Sequence, residues 1–245
     1  MEYILASWKM YPTVEEAHAL FEAIQGGLQE RARAGRLPTV IICPTFLSLV
    51  PLRAVADDRV VHLGAQNCHW EQEGPYTGEI SPKMLQGLVE YVLVGHSERR
   101  AAGETDEQIA KKVAAAQQAG LVPILLVGED DRADDAILLT ERRLRDGLSL
   151  ADPENVLVVY EPSWAIGATE PAPPDHIRRG VEHLKNVLVD MGAQDPRIIY
   201  GGTVNDDNID EVVSVEVLDG VGSGRGSLNA EGFLRIVDRV AAERR

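Results

Sequence analysis

The chain has few cysteines and no long apolar run. Cys43 and Cys68 are the only cysteines among its 245 residues, and their spacing matches no metal-ligand pattern. We therefore expect two buried, reduced thiols and no metal site. No stretch of 18 apolar residues occurs, so we expect no transmembrane helix. The beginning of the chain has neither a basic region nor a small-residue cleavage site, which predicts a cytoplasmic protein without a signal peptide.

Basic residues are also scarce relative to acidic ones. The chain has 24 Lys and Arg residues against 39 Asp and Glu residues, and its formal net charge is −15. This charge disfavours nucleic acids and anionic membranes as partners, because both would be repelled. An anionic ligand would have to be attracted by a local site rather than by the overall field.

Short apolar runs rich in β-branched residues recur along the whole chain. They are continuous rather than alternating, which is typical of parallel strands buried on both faces. The eight strands predicted in this way span residues 3–6, 40–43, 60–65, 91–94, 122–127, 156–160, 197–200 and 217–221.

The segments between these runs have helical periodicity. Four residues are predicted to cap helices: Thr13 and Thr105, each in a capping box, and Asp175 and Asn229. Strand and helix alternate eight times without a linker, a low-complexity tract or an internal repeat. The sequence therefore predicts an α/β fold, a closed (β/α)8 barrel (TIM barrel) forming a single domain over residues 1–245, with a doubly wound open sheet as the alternative.

Polar residues and glycines gather at the C-terminal ends of the predicted strands, where the active site of such a barrel lies. These residues are Lys9, Asn67, His96, Glu161, Gly201 and Gly222. Glu161 is the most informative of them, because it ends an apolar run and Pro162 and a glycine-bearing loop follow at once. A barrel presents a base in this way, on a rigid strand beneath a segment that can move.

Five runs, in order, resemble the triosephosphate isomerase family over essentially the whole chain. They are Ser7-Trp8-Lys9-Met10, Gly64-Ala65-Gln66-Asn67 leading to Thr77-Gly78-Glu79, the run from Val94 to Arg100, the run from Tyr160 to Gly167, and Tyr200-Gly201-Gly202-Thr203-Val204. The resemblance implies an aldose–ketose isomerase of glycolysis and gluconeogenesis. Its reaction would interconvert dihydroxyacetone phosphate and D-glyceraldehyde 3-phosphate through an enediolate.

The resemblance also implies catalytic roles. Glu161 would be the base, His96 the electrophile, Lys9 a positive charge beside the reacting oxygens, and Glu98 the group that orients Lys9 and His96. Such a reaction needs a base and donors for the enediolate oxygens, and it needs no metal or other cofactor. Ser97 follows His96 and can begin a short helix, whose N-terminus would favour a neutral imidazole. The other histidines are interpreted as surface or packing residues: His18, His62, His69, His176 and His183.

Glycine-bearing loops are the predicted phosphate site. Backbone N–H groups in such loops bind anions, and three loops follow the sixth to eighth strands on one rim. The predicted binding residues are Gly167, Gly202, Thr203, Gly224 and Arg225, with Ser7 beside the substrate. The segment from Ala165 to Thr169 is the predicted lid, with Pro162 and Pro171 restricting its hinges.

Four positions depart from the usual pattern of the family. Ser7 replaces an Asn that normally reaches the substrate, Arg225 replaces the second glycine of the phosphate loop, Leu126 replaces a Cys, and the lid residues 168–171 differ. Arg225 either strengthens phosphate binding or points to solvent. Two alternatives therefore stay open: an isomerase of a four-carbon ketose phosphate such as L-erythrulose 1-phosphate, and a barrel that binds sugar phosphates without turnover.

A long loop from Gln66 to Glu79 follows the third predicted strand and carries Trp70 and Tyr76. Apolar side chains on an exposed loop are unfavourable, which favours a covered surface. In the resembling family this loop inserts into the neighbouring subunit. The resemblance thus implies a homodimer in which Thr77 lies near the partner's active site.

Overall fold

The fold is a closed barrel of parallel strands surrounded by helices. The computed structural model describes residues 1–35, 37–133 and 135–243. Within these ranges eight strands pair in chain order, and the last strand pairs with the first. The strands are β1 Tyr3–Ser7, β2 Thr39–Cys43, β3 His62–Ala65, β4 Tyr91–Val94, β5 Val122–Val127, β6 Leu157–Tyr160, β7 Ile198–Tyr200 and β8 Gly220–Ser223. The prediction of a closed (β/α)8 barrel is confirmed, and the open-sheet alternative is wrong.

Helices connect the strands on the outside of the barrel. They are α1 Val14–Ala34, α2 Phe46–Arg53, α3 Pro82–Leu85, α4 Ser97–Ala101, α5 Asp106–Gln118, α6 Ala136–Gly147, α7 Pro174–Asp190, α8 Ile209–Val213 and α9 Ala230–Ala242. Two short 3-10 turns, Ser163–Ala165 and Arg225–Leu228, follow β6 and β8. Both turns lie at the C-terminal rim, directly above the strands that precede them.

Two apolar cores explain why the strand sequences are apolar on both faces. Inward-facing side chains, among them Leu5, Ile124 and Val159, fill the barrel interior. Outward-facing side chains pack against the helices in a larger core that includes Ile4 and Val158. The side chains that fill the interior close the barrel beneath its C-terminal rim. The rim therefore surrounds a closed pocket and not a pore.

The predicted boundaries are correct to within two residues for seven strands, and the eighth strand begins three residues later than predicted. The prediction placed it at residues 217–221, but Val217 and Leu218 lie in the turn before β8. Leu218 is buried there, which explains why this turn is as apolar as a strand. Asp219 holds the turn in place by accepting the backbone N–H of Ile198 at 2.7 Å.

Three of the four predicted helix caps are confirmed: Thr13 and Thr105 form capping boxes, and the Asn229 side chain accepts from Gly232. The cap at Asp175 is wrong, because α7 begins one residue earlier, at Pro174. Proline suits the first helical position, since its missing N–H would have no partner there.

The described residues contain no helix that is both long and apolar enough to cross a membrane. They also contain no group of three or more His, Cys, Asp or Glu residues that could hold a metal ion. Cys43 and Cys68 are buried free thiols, and burial raises the pKa of Cys68 to about 12.

Candidate active site

The C-terminal rim of the barrel encloses a cavity of about 700 Å³. All ten predicted site residues line it, although they come from five different strand ends and the loops that follow them: Ser7, Lys9, His96, Glu98, Glu161, Gly167, Gly202, Thr203, Gly224 and Arg225. Leu126, another departure from the family pattern, also lines the cavity. Asn67 does not, and its side chain instead accepts a hydrogen bond from Lys112 at 3.0 Å.

Glu161 stands at the end of β6 with its main chain held in place. Its N–H donates to the Val127 carbonyl at 2.7 Å. A Cβ on Gly128 would lie 2.0 Å from the Glu161 carbonyl oxygen, so only glycine permits this close approach. The Glu161 carboxylate is 6% exposed and lies 3.3 Å from His96 Nε2, and the Ser97 hydroxyl donates to it at 3.3 Å. It is a buried carboxylate aimed into the cavity.

Burial raises the pKa of Glu161 above its ordinary value, and nearby His96 and Lys9 only partly oppose this shift. A raised pKa brings a carboxylate closer to the pH at which a general base works best. The charged form costs folding free energy in this buried site, and that cost belongs to the folded state alone.

This shift predicts a pH dependence of both activity and stability. If Glu161 is the base, kcat/KM falls with decreasing pH at a pKa above the ordinary glutamate value. Because the raised pKa disfavours the ionised form, Glu161→Gln is expected to raise Tm at pH 7. The difference in Tm between the variant and the wild type should disappear as the pH falls below about 4, where the carboxyl is protonated in both the folded and the unfolded chain. Calorimetry across pH measures this gap, and a Tm gap that widens in acid would contradict the assignment.

His96 is the N-cap residue of α4. Its Nδ1 accepts the backbone N–H of Glu98 at 3.1 Å. An Nδ1 that accepts a hydrogen bond carries no proton, so the neutral ring has its proton on Nε2. That Nε2 faces Glu161 in the cavity. In its neutral form the imidazole therefore donates from Nε2 into the site.

Lys9 has an unusual backbone. Its φ is 49°, and it is the only non-glycine residue with positive φ in the described ranges. Such a conformation in a non-glycine residue costs about 1–3 kcal/mol and tends to occur at functional sites. The Gln66 side chain holds the turn by donating to the Lys9 carbonyl at 2.9 Å and to the Cys43 carbonyl at 3.0 Å.

The turn directs the Lys9 ammonium to Glu98, and Nζ lies 2.6 Å from Oε1. The other Glu98 oxygen lies 3.8 Å from His96 Nδ1. Partial burial alone would raise the pKa of Glu98, but the hydrogen bond from Lys9 and the positive charge of its ammonium group outweigh it. The pKa of Glu98 is therefore below its ordinary value, so the pair is ionic at neutral pH.

The predicted lid lies over the cavity. The Thr203 hydroxyl donates to the Ala165 carbonyl at 2.8 Å and lies 3.2 Å from the Ala168 carbonyl. The Ala172 N–H donates to the Tyr200 hydroxyl at 2.8 Å. Thr203 therefore holds the lid itself, and Tyr200 at the end of β7 holds the segment that follows the lid. This arrangement is suited to excluding water from the cavity.

A buried network supports the lid from outside the cavity, and the sequence did not reveal it. Glu129 is 1% exposed and accepts hydrogen bonds from Tyr160 at 2.8 Å and Thr140 at 3.0 Å. His176 Nε2 lies 2.6 Å from Glu129, and its ring meets Trp164, the residue before the lid, edge-on at 5.1 Å. The members belong to different elements, so no local sequence pattern marks them.

Comparisons with known proteins agree with this geometry. The family model described as triosephosphate isomerase matches residues 2–240. A triosephosphate isomerase of Dehalococcoides mccartyi is 36% identical over 99% of this chain and 98% of its own length. One from Roseiflexus castenholzii is 39% identical over 96% and 95%. The crystal structure of triosephosphate isomerase from Bartonella henselae superposes with a TM-score of 0.87 at 31% identity, covering 98% of this chain and 99% of that one. The chain therefore belongs to the triosephosphate isomerase family.

Proposed function

We propose that this protein interconverts dihydroxyacetone phosphate and D-glyceraldehyde 3-phosphate, as a triosephosphate isomerase of glycolysis and gluconeogenesis. The observation that carries the proposal is the meeting of Glu161, His96 and Lys9 in one cavity of a chain from this family. A buried carboxylate, a neutral imidazole donor and a cation are the groups that proton transfer beside a carbonyl requires.

Glu161 removes a proton from the carbon beside the substrate carbonyl, and the released electron pair forms an enediolate. The Nε2–H of His96 donates to the enediolate oxygens, and Lys9 balances their charge. The proton then returns to the neighbouring carbon, and the hydroxyl proton of that carbon passes to the former carbonyl oxygen through His96 Nε2. Oxidation of one carbon and reduction of the other therefore balance within the substrate. Glu98 orients Lys9 and His96 through its two oxygens.

The substrate phosphate is assigned to the opposite side of the cavity. Gly167, Gly202 and Gly224 line the cavity there together with Thr203 and Arg225. The backbone N–H groups of such glycine turns bind anions well. The closed lid excludes water from the enediolate. The proton stays on the substrate carbons or on Glu161, so the reaction consumes no cofactor.

The test compares kcat/KM for D-glyceraldehyde 3-phosphate with kcat/KM for L-erythrulose 1-phosphate, measured at equal enzyme concentration. Triosephosphate isomerases are among the enzymes that reach the diffusional ceiling of about 10⁸ M⁻¹s⁻¹ or more, and a value near it is expected for the triose. The four-carbon alternative is not favoured, because the relatives reported above are named triosephosphate isomerases. Tetrulose turnover above triose turnover would reverse the assignment, and turnover of neither would indicate a binding protein.

We also propose that residues 1–245 form a single domain and that the protein works in the cytoplasm as a homodimer. Large apolar side chains follow the ends of β1, β2 and β3 and stand exposed: Met10 is 94% exposed and Leu47 79%. In the loop from Gln66 to Glu79 the His69 ring stacks on Trp70 at 4.1 Å. A second subunit that covers these side chains would remove their contact with water.

Leu47→Glu is expected to weaken this dimer, because it places a charge in an apolar interface. Sedimentation velocity should show a dimer for the wild type at micromolar concentration and a monomer for the variant, with at least about tenfold lower kcat/KM if Thr77 supports the partner's site. Leu138→Glu is the matched control, since Leu138 is also exposed but lies on α6. A wild-type monomer, or equal effects of both variants, would contradict the proposed interface.

A further inference from the structure

Four acidic or basic side chains besides His96 line the active-site cavity: Lys9, Glu98, Glu161 and Arg225. Lys9 is paired with Glu98 at 2.6 Å, and Glu161 adds a second negative charge. Arg225 forms no ion pair with any carboxylate of the described residues, whereas many other arginines of this chain do. It is the one cation lining the described cavity whose charge is not already matched.

This charge matters because the substrate is an anion. Without Arg225 the cavity lining carries one negative charge, in a chain whose net charge is −15. A phosphate monoester carries a charge of about −1.5 to −2 at pH 7. Both the cavity lining and the net charge of the chain would then repel it. With Arg225 the lining is neutral before the substrate enters.

Arg225 is also placed between two parts of the phosphate site. It begins the 3-10 turn Arg225–Leu228, directly after Gly224. A Cβ on Gly224 would lie 3.6 Å from Lys9 Cε, so the phosphate loop runs close to the catalytic lysine. Arg225 Nη2 would lie 3.9 Å from a Cβ on Gly167 of the lid. The guanidinium therefore bridges the phosphate loop and the lid across the cavity mouth.

We propose that Arg225 is a specificity-determining residue that recognises the negative charge of the substrate phosphate and links it to the closed lid at Gly167. A guanidinium has five donors in one plane, so it can bind phosphate oxygens and still contact the lid backbone. The residue selects phosphorylated over uncharged sugars. This inference rests on the proposed function, because it assigns Arg225 to the phosphate of the same substrate.

The test compares Arg225→Ala and Arg225→Gly, the latter restoring the residue usual in the family, with the wild type. A hydrogen bond to a charged group contributes about 1.5–3 kcal/mol, so kcat/KM for D-glyceraldehyde 3-phosphate should fall about 10- to 150-fold. The inhibition constant of inorganic phosphate should rise by a similar factor. Slow turnover of unphosphorylated D-glyceraldehyde should fall by a much smaller factor, because that substrate has no phosphate for Arg225 to bind.

Arg33→Ala is the matched control. Arg33 is exposed in the last turn of α1, at the opposite end of the barrel, and its loss changes the net charge by the same amount. The control should leave all three measurements unchanged, which would exclude a general charge effect. Arg225→Lys keeps the charge but not the planar fork, and should recover only part of the loss.

Unchanged phosphate inhibition in Arg225→Ala and Arg225→Gly would overturn the inference. An equal loss with D-glyceraldehyde would also overturn it, because Arg225 would then act on the reacting end of the site. Failure of the proposed function gives a different result: the wild type would not turn over the triose phosphate. Calorimetric binding of inorganic phosphate to wild type and Arg225→Ala would still test Arg225 in that case.

Discussion

Replacing Glu161 by Asp is expected to lower kcat by about 10²- to 10⁴-fold, the usual contribution of a positioned base, with little change in KM. The substitution keeps the charge and removes one methylene group, so the carboxylate no longer reaches the substrate carbon. The main chain cannot move to compensate. The Glu161 N–H is bonded to Val127, and its carbonyl is packed against Gly128.

Stopped-flow or coupled assays measure kcat, and inhibition by inorganic phosphate reports whether the binding site is intact. Glu107→Asp is a suitable control, because it makes the same chemical change on the exposed face of α5. Glu161→Gln should abolish turnover as well, since an amide cannot accept the proton. If Glu161→Asp retains kcat within about fivefold, base catalysis by Glu161 is wrong, because even a weak positioned base contributes more.

Much of this site could be predicted because strand ends in a barrel meet at one rim. Glu161 and His96 each end an apolar run, and parallel strands bring such residues together regardless of their separation in sequence. Local chemistry also made α4 predictable, with the His96 side chain as its cap. The same reasoning did not extend to the Asn67 side chain, which turns to Lys112 on α5 and leaves the cavity.

The remaining features depend on tertiary contacts that no local pattern records. The predicted eighth strand was displaced because Leu218 is buried in a turn. A buried turn has the same apolar composition as a buried strand, so the sequence does not distinguish them. The contact of His176 with Glu129 joins α7 to the loop after β5, so neither segment alone indicates it. The positive φ of Lys9 is likewise imposed by its neighbours, since lysine has no intrinsic preference for it.

Replacing Lys9 by Met is expected to lower kcat/KM by about 10³-fold or more, through effects on both kcat and KM. Loss of one donor to a developing oxyanion typically costs about 10²- to 10³-fold in kcat. Lys9→Met also leaves Glu98 and Glu161 facing Arg225 alone, so a phosphorylated substrate meets a net negative cavity. KM should therefore rise while kcat falls.

Glu98→Gln separates the two contributions of Lys9. The amide oxygen can still accept the Lys9 hydrogen bond, and removal of the carboxylate makes the cavity more positive. We expect KM to stay constant or fall, and kcat to fall less than in Lys9→Met because only the orientation of Lys9 and His96 is weakened. A KM that rises equally in both variants would show that Lys9 acts through its ion pair with Glu98 and not directly on the substrate.

The backbone of Lys9 allows its catalytic role to be separated from its structural cost. Lys9→Ala and Lys9→Gly both remove the ammonium group, so both should lose activity to a similar extent. They differ in Tm, because glycine adopts a φ of 49° freely whereas alanine remains strained, and the strain is worth about 1–3 kcal/mol. Calorimetry should therefore give a higher Tm for Lys9→Gly than for Lys9→Ala. A higher Tm for Lys9→Ala would mean that the turn at Lys9 relaxes once the side chain is gone, and that the ion pair with Glu98 holds the strained conformation in the wild type.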